Sequence, residues 1–408
     1  MEDLLIQNAR QIITASAMPV RGPELNRLKI FEDCSLYLRN GMIQAIGPLS
    51  LLEKEITGQP LVLRGDHRIV VPGWVDSHTH LVFAGTREAE FHLRNAGAGY
   101  QEIAAKGGGI LSTVRATRRA DREELVAIGS RYLAAALQHG TTSMEIKTGY
   151  GLDLENELKL LQVIHDLQQV QPIELVTTFL GAHAVPPNKS LAEYTEEVMA
   201  WLPEIAPRAK FCDLFCEHGY FGLAEAEKIF SAAQRYGLKL RMHADQLSAN
   251  GGVSLAVSMG AAAVDHLEKI GDAEITLLAN SNTCATLLPG VSLFLHYGYP
   301  PGRALIDRGA VVSLASNFNP GSCMCLNMQL IISLACTQMA FSAEEAINAA
   351  TVNGAYSLGL SEVGLIEVGR QADLLLLDLP DYRLLPYFFG INHVHTVIKK
   401  GRIVWSNG

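Results

Sequence analysis

A chain of 408 residues, 48% hydrophobic and 18% charged, holds enough apolar material for one large domain and an accessory one, and is too apolar for a disordered polyelectrolyte. Its net charge of −9, with no dense Lys/Arg run, argues against a polyanion-binding surface. Seven cysteines, an odd set without a Cys-x-x-Cys pair, argue against a disulfide framework or a thiolate zinc site; the thiols read as reduced and buried.

The start, MEDLLIQNAR, is acidic where a secretory signal is basic and then apolar, and no apolar run approaches the roughly 20 residues that span a bilayer. A soluble, cytoplasmic protein is the expectation. Residues 1–69 then read as strands with turns: LLIQNARQIIT, CSLYLRNGMIQAIG with a hairpin turn at Asn40-Gly41, PLVLRG and HRIV. Residues 361–408 repeat that character in GLIEVGRQADLLLLDLP and in HTVIKKGRIVW, with Lys400-Gly401 at a turn. The two ends are expected to build one small β-sandwich domain.

Residues 70–360 alternate strand-length β-branched runs with helical patterns, the signature of βα units around a parallel sheet. The strands are IVVPGWVD, TTSMEIK, IELVTTFL, FCDLFC, LKLRMH, AAAVDH, TCATLLP and AVVSLAS. Between them, Asp121 with Glu124 reads as a capping box and Gly140 as a helix stop. The fold class is therefore α/β, a (β/α)8 TIM-like barrel with a β-sandwich made from both termini. The stretch from Val82 to Asp121 is longer than one helix needs, and Gly107 to Ile110 reads as a flexible loop.

Such barrels carry their chemistry at the carboxyl ends of the strands. Those ends supply His78 and His80, Lys147 to Tyr150, His183, Glu217, His243 with Gln246, His266, and Asn317 with Asn319. Two histidines at i and i+2 on a strand share a face and can reach one metal. With 13 histidines in the chain, roughly 0.4 such pairs arise by chance, so context must carry the argument. His393 and His395 form a second pair, assigned to a surface strand that binds nothing. His78 and His80 instead follow an apolar strand at a barrel mouth, in VPGWVDSHTHL, and His243 and His266 end later strands facing the same cavity. A metal held by imidazoles with one open position polarises a carbonyl and acidifies water.

Tyr150 and His183 suit neutral recognition of a polar substrate, and Arg87 offers a planar cation for a carboxylate. Lys147 invites comparison with the carbamylated lysine that bridges two metals in some barrel hydrolases, but it lies two residues beyond Glu145 and precedes a glycine turn, so a bridging role is not expected. There is no G-x-S-x-G, no G-x-x-x-x-G-K-[ST], and no strand followed by G-x-G-x-x-G, which sets aside serine hydrolases, P-loop enzymes and dinucleotide enzymes.

These residues resemble the amidohydrolase superfamily and, within it, the imidazolone-ring hydrolases of histidine degradation. The likeness spans nearly the whole chain: PGWVDSHTHLVFAGTREAEF, GAGYQEIAAKGGGI, GTTSMEIKTGYGLDLENELKL, FLGAHAVP, DLFCEHGYF, MHADQL, VDHLE, ATLLPG, SNFNPGSC and TVNGAYSLGL. It implies hydrolytic opening of the ring of 4-imidazolone-5-propanoate to N-formimino-L-glutamate with one zinc or iron ion. It also implies metal ligation by His78, His80, His243 and Asn317, and substrate binding by Arg87, Tyr100, Tyr150, His183, Gln246, Asn319, Gly321 and Ser322. Catalytic roles fall to His266, Gln246 and Asn317. A homodimer is expected, with a small-molecule substrate and neither nucleic acid nor membrane as partner. One position departs from the pattern: the family is expected to carry aspartate where Asn317 stands, and an amide ligates but cannot act as a base at neutral pH. Metal binding should weaken and turnover slow.

Overall fold

The structure, a computed structural model, describes residues 3–97 and 108–407. Tyr100 and Gly107 lie outside the described residues. The chain opens with β1 (Leu4–Thr14), β2 (Lys29–Arg39), β3 (Met42–Gly47), β4 (Leu61–Arg64) and β5 (Ile69–Pro72). Eight barrel strands follow: β6 (Trp74–Asp76), β7 (Thr141–Lys147), β8 (Glu174–Ala182), β9 (Phe211–Cys216), β10 (Lys239–Ala244), β11 (Ala263–His266), β12 (Cys284–Leu287) and β13 (Val312–Leu314). The chain ends with β14 (Leu374–Leu377), β15 (Val394–Lys399) and β16 (Arg402–Ser406).

The strands from the two ends form one sheet in the order β16-β15-β14-β5-β1-β2-β3, with β4 also paired to β1. The sheet forks at β1, whose first half pairs with β4 and whose second half pairs with β5. Leu4, Ile6, Ile12, Leu36, Leu374 and Ile398 bury a separate small core. Both expected hairpins turn through consecutive positive φ angles, 53° and 82° at Asn40-Gly41 and 49° and 71° at Lys400-Gly401, the geometry that matches strand twist. The stretch read as a strand from Gly364 is shorter than expected: among the described residues only Leu374–Leu377 pairs regularly, after a looped segment that includes Gly364 and Gly369 at positive φ.

The parallel sheet runs in chain order from β6 to β13. It closes where Thr79 bridges Phe318 and where the Asn317 amide donates to the carbonyl of His78 at 3.0 Å. The run IVVPGWVD, read as one strand, is two. Ile69–Pro72 joins β1 and β14 in the small sheet, while Trp74–Asp76 joins β7 in the barrel. Pro72 has no N–H to continue the ladder, and Gly73 packs so tightly that a Cβ there would overlap the side chain of Thr142. Asp121 caps its helix by accepting from the Glu124 amide at 2.8 Å; the reciprocal bond of a capping box is not found among the described residues. Between β6 and β7 the long connection holds helices Glu88–Asn95 and Ile110–Arg119 before Arg122–Gln138. Among the described residues, no helix is long and apolar enough to cross a membrane.

Candidate active site

The carboxyl ends of the barrel strands carry polar groups that surround a cavity of about 420 Å³. Its lining includes His80, Arg87, Tyr150, His183, His243, Gln246, His266, Asn317, Asn319, Gly321 and Ser322, residues expected at the site from sequence. His78 sits with them: the ligand atoms of His78, His80 and His243 all lie within 4.8 Å of one another, and all three side chains are buried.

The rings are aimed by carboxylates. His78 Nδ1 bonds Asp265 Oδ2 at 2.8 Å, and His243 Nδ1 lies 3.1 Å from Asp213 Oδ2, so the Nε2 atoms face the centre. There, Nε2 of His80 and His243 approach to 3.3 Å, while Nε2 of His78 has no hydrogen-bond partner. The Oδ1 atom of Asn317 is likewise buried without a partner. Burial, then the nearby Lys147 charge, holds His78 well below the usual imidazole range; burial, then His183, does the same for His80. Burial also lowers His243, against the pull of Asp213. Neutral imidazoles converging on unpartnered lone pairs, with an amide oxygen in the same cavity, fit one divalent cation.

Beneath the histidines lies a buried ion network that the sequence analysis did not assemble. Lys147 Nζ contacts Glu145 at 2.9 Å, Asp213 at 2.7 Å and Asp265 at 3.4 Å, and Arg241 contacts Glu145 and Asp265 at 3.1 Å each. Two basic and three acidic side chains thus meet beneath the histidine cluster, and burial pushes the Glu145 carboxyl up. Burial would lower Lys147, but Asp213, Glu145 and Asp265 hold it above its ordinary value. These contacts favour the ammonium form, whereas a carbamate forms on a neutral amine. Asp213, which burial alone would raise, is held well below the usual carboxylate range by His243 and Lys147. The signal was present: FCDLFC, LKLRMH, AAAVDH and TTSMEIK each place a charged residue inside an apolar strand.

On the substrate side, Tyr150 is held by a loop pinned from behind. The buried Glu157 carboxylate accepts from the amides of Gly149, Gly151 and Leu152 at 3.1, 2.8 and 3.0 Å. His183 stacks on His80 with centroids 5.1 Å apart, and its Nδ1 bonds the Gly149 carbonyl at 3.0 Å, leaving Nε2 for the cavity. Burial, then His243, pushes His183 down to about 3, so it meets a substrate as a neutral group. Asn319 knits its own loop: Nδ2 donates to the Asn317 carbonyl and to Ser322 Oγ, and Oδ1 accepts from the amides of Gly321 and Ser322. Glu217 accepts from the amides of Leu247 and Ser248, fixing the turn that carries Gln246.

Arg87 bonds Glu90 Oε2 through Nε at 2.9 Å and Nη2 at 2.6 Å. Burial would raise the Glu90 carboxyl, but the Arg87 bond and charge keep it below its ordinary value. Gly321 makes room for this guanidinium, because a Cβ there would overlap Nη1 of Arg87. His266 takes a backbone φ of 85°, which its side chain tolerates poorly, and its Nδ1 lies 3.5 Å from Glu268, a carboxylate whose oxygens have no hydrogen-bond partner. Glu90, Glu157 and Glu268 were missed by sequence reasoning; only the i, i+3 spacing of Arg87 and Glu90 offered a local cue. His393, expected on a surface strand, is instead buried just before β15 and bonds the Phe388 carbonyl at 3.1 Å.

Residues 69–404 match the model of the amidohydrolase family. An imidazolonepropionase of Rubrobacter xylanophilus is 47% identical over 95% of this chain and 94% of its own. Among solved structures, a triazine hydrolase variant superposes with a TM-score of 0.77 at 16% identity, covering 99% of this chain and 95% of that one. An adenosine deaminase from Xanthomonas campestris with bound zinc gives 0.70 at 20% identity, covering 98% of this chain and 92% of that one. Those two likenesses speak to the fold alone. The near full-length identity speaks to more: the chain belongs to the amidohydrolase family, and within it to the imidazolonepropionases.

Proposed function

We propose that this chain hydrolyses the ring C–N bond of 4-imidazolone-5-propanoate to N-formimino-L-glutamate. The observation that carries the reading is a guanidinium, Arg87, in the same cavity as the cluster of His78, His80 and His243. A substrate with a carboxylate tail and a cyclic amide has its two ends recognised by those two features.

His78, His80, His243 and Asn317 would hold zinc or iron(II), a donor set that suits either ion. When bound, the ion supplies Lewis acidity for the ring carbonyl and for water. The chain's own residues do the rest. Arg87 anchors the propanoate, Tyr150 and neutral His183 hydrogen-bond the ring, and the network around Lys147 fixes the rings of His78 and His243. His266, beside Glu268, would stabilise the tetrahedral oxyanion and move a proton toward the leaving ring nitrogen. A cytoplasmic homodimer belongs to the same proposal, as the commonest assembly for such enzymes.

The test is loss of 4-imidazolone-5-propanoate and appearance of N-formimino-L-glutamate with the metal-loaded chain; no product at high enzyme concentration would refute the reading. Asn317 favours a second reading, a homologue that binds metal and substrate but turns over poorly, because its buried amide oxygen can ligate and cannot take a proton. A nucleobase-type substrate is separated from both by Arg87→Ala, which weakens only ligands that carry a carboxylate.

A further inference from the structure

Arg87 is not a free cation. Its charge is matched by Glu90 through contacts of 2.9 and 2.6 Å, so a second carboxylate arriving there meets a largely neutral pair. The same face carries another guanidinium. Arg87 is the N-cap of the helix Glu88–Asn95, and Glu90 and Arg94 stand three and seven residues beyond it, so Arg94 lies on the face of that helix that lines the cavity with Arg87 and Glu90. Arg94 is half-buried; its Nη1 is fully buried and has no hydrogen-bond partner, and among the described residues no carboxylate forms an ion pair with it. The guanidinium carbon sits 5.9 Å from the ring centre of Phe294, which in turn packs against Phe91 at 5.0 Å, so the group has an aromatic platform.

We propose that Arg94 is a specificity-determining residue that supplies uncompensated positive charge to the carboxylate subsite, beside Arg87, which anchors the carboxylate by hydrogen bonds while its own charge is matched by Glu90. Arg87, Glu90 and Arg94 together leave one net positive charge on this wall, the charge needed by a monoanionic tail. Leaving Nη1 buried and unpaired costs free energy in the empty site, and a bound carboxylate removes that cost. This inference rests on the reading that the substrate carries a carboxylate tail.

The experiment measures calorimetric binding of 3-(imidazol-4-yl)propanoate and of its uncharged amide to the zinc-loaded full-length chain, and so does not depend on turnover. The wild type is expected to prefer the propanoate. Arg94→Ala should weaken the propanoate about tenfold or more while leaving the amide unchanged, and Arg94→Lys should recover only part of that loss. If Arg94→Ala leaves propanoate binding intact while Arg87→Ala weakens it, the inference is overturned and the proposed function stands. If Arg94→Ala weakens both ligands equally, its role is structural and the inference fails. If the wild type binds propanoate and amide equally, the carboxylate reading itself falls and takes the inference with it.

Discussion

Asp265 reaches Nδ1 of His78 at 2.8 Å from a strand that is not its neighbour in the sheet, and the same carboxylate oxygen lies 3.4 Å from Lys147 Nζ. The metal position is thus tied through His78 to a charge network at the bottom of the site. Asp265→Asn keeps the shape and removes the charge that orients the ring and raises its basicity. Metal affinity should fall about 10–100-fold, with Asp213→Asn acting similarly through His243. Competition with a chromophoric chelator measures this, and affinity equal to wild type would mean the carboxylates are mere packing.

Asn317→Asp tests the departure from the family pattern. The variant gains a negative ligand and a proton acceptor at a buried position whose oxygen already lacks a partner. General-base catalysis contributes about 10²–10⁴-fold, so kcat should rise within that range and the metal should bind more tightly. Equal, full rates for both chains would show that the base lies elsewhere.

Glu157→Gln probes the support of Tyr150. A carboxylate can accept all three loop amides, whereas a glutamine places an NH2 against one of them. One buried donor is left unsatisfied at a cost of about 1–3 kcal/mol, lowering Tm. Because the loop carries Tyr150 and the Gly149 carbonyl that orients His183, KM should rise more than kcat falls. A lowered Tm with unchanged KM would confine Glu157 to stability.

Gly321→Ala separates space from charge at the carboxylate end. The new methyl would overlap Arg87 Nη1, which can swing because it is the end of a long side chain. Little loss of Tm is expected, with a several-fold rise in KM for a carboxylate-bearing substrate; KM equal to wild type would show that Arg87 need not hold its position.

The barrel was legible because its signal is periodic and local: TTSMEIK and FCDLFC coincide with β7 and β9. The site was legible to the extent that barrel topology gathers strand ends into one mouth, which is why His78, His80, His243 and His266 could be grouped without coordinates. The break at Gly73 was hidden because both halves of IVVPGWVD are buried and apolar, and hydropathy cannot tell which sheet a strand joins. Glu90, Glu157 and Glu268 were hidden for a different reason. Glu157 and Glu268 act on residues close in sequence through loop conformations that no periodicity encodes, and the i, i+3 spacing of Arg87 and Glu90 is too common to single out a site.

His183 gives the chain a pH signature. In the fold its imidazole is held down to about 3 by burial, then by His243, although the Gly149 carbonyl bond opposes this. The unfolded chain takes up that proton near 6.5, the ordinary value of an imidazole. Between these two values the unfolded state therefore holds one more proton than the folded state, so stability falls as pH drops below 6.5 and levels off only near 3. The contribution is up to about 1.4 kcal/mol per pH unit across that window. His183→Asn, which has nothing to titrate, should lose Tm less steeply than wild type between pH 6.5 and 4.5, and loss of the His183 charge also relieves part of the depression of His80, which acts in the same direction. Parallel Tm profiles would mean that His183 already carries its proton in the fold, and a charged donor would then have to replace the neutral acceptor, Nε2, assigned to the ring.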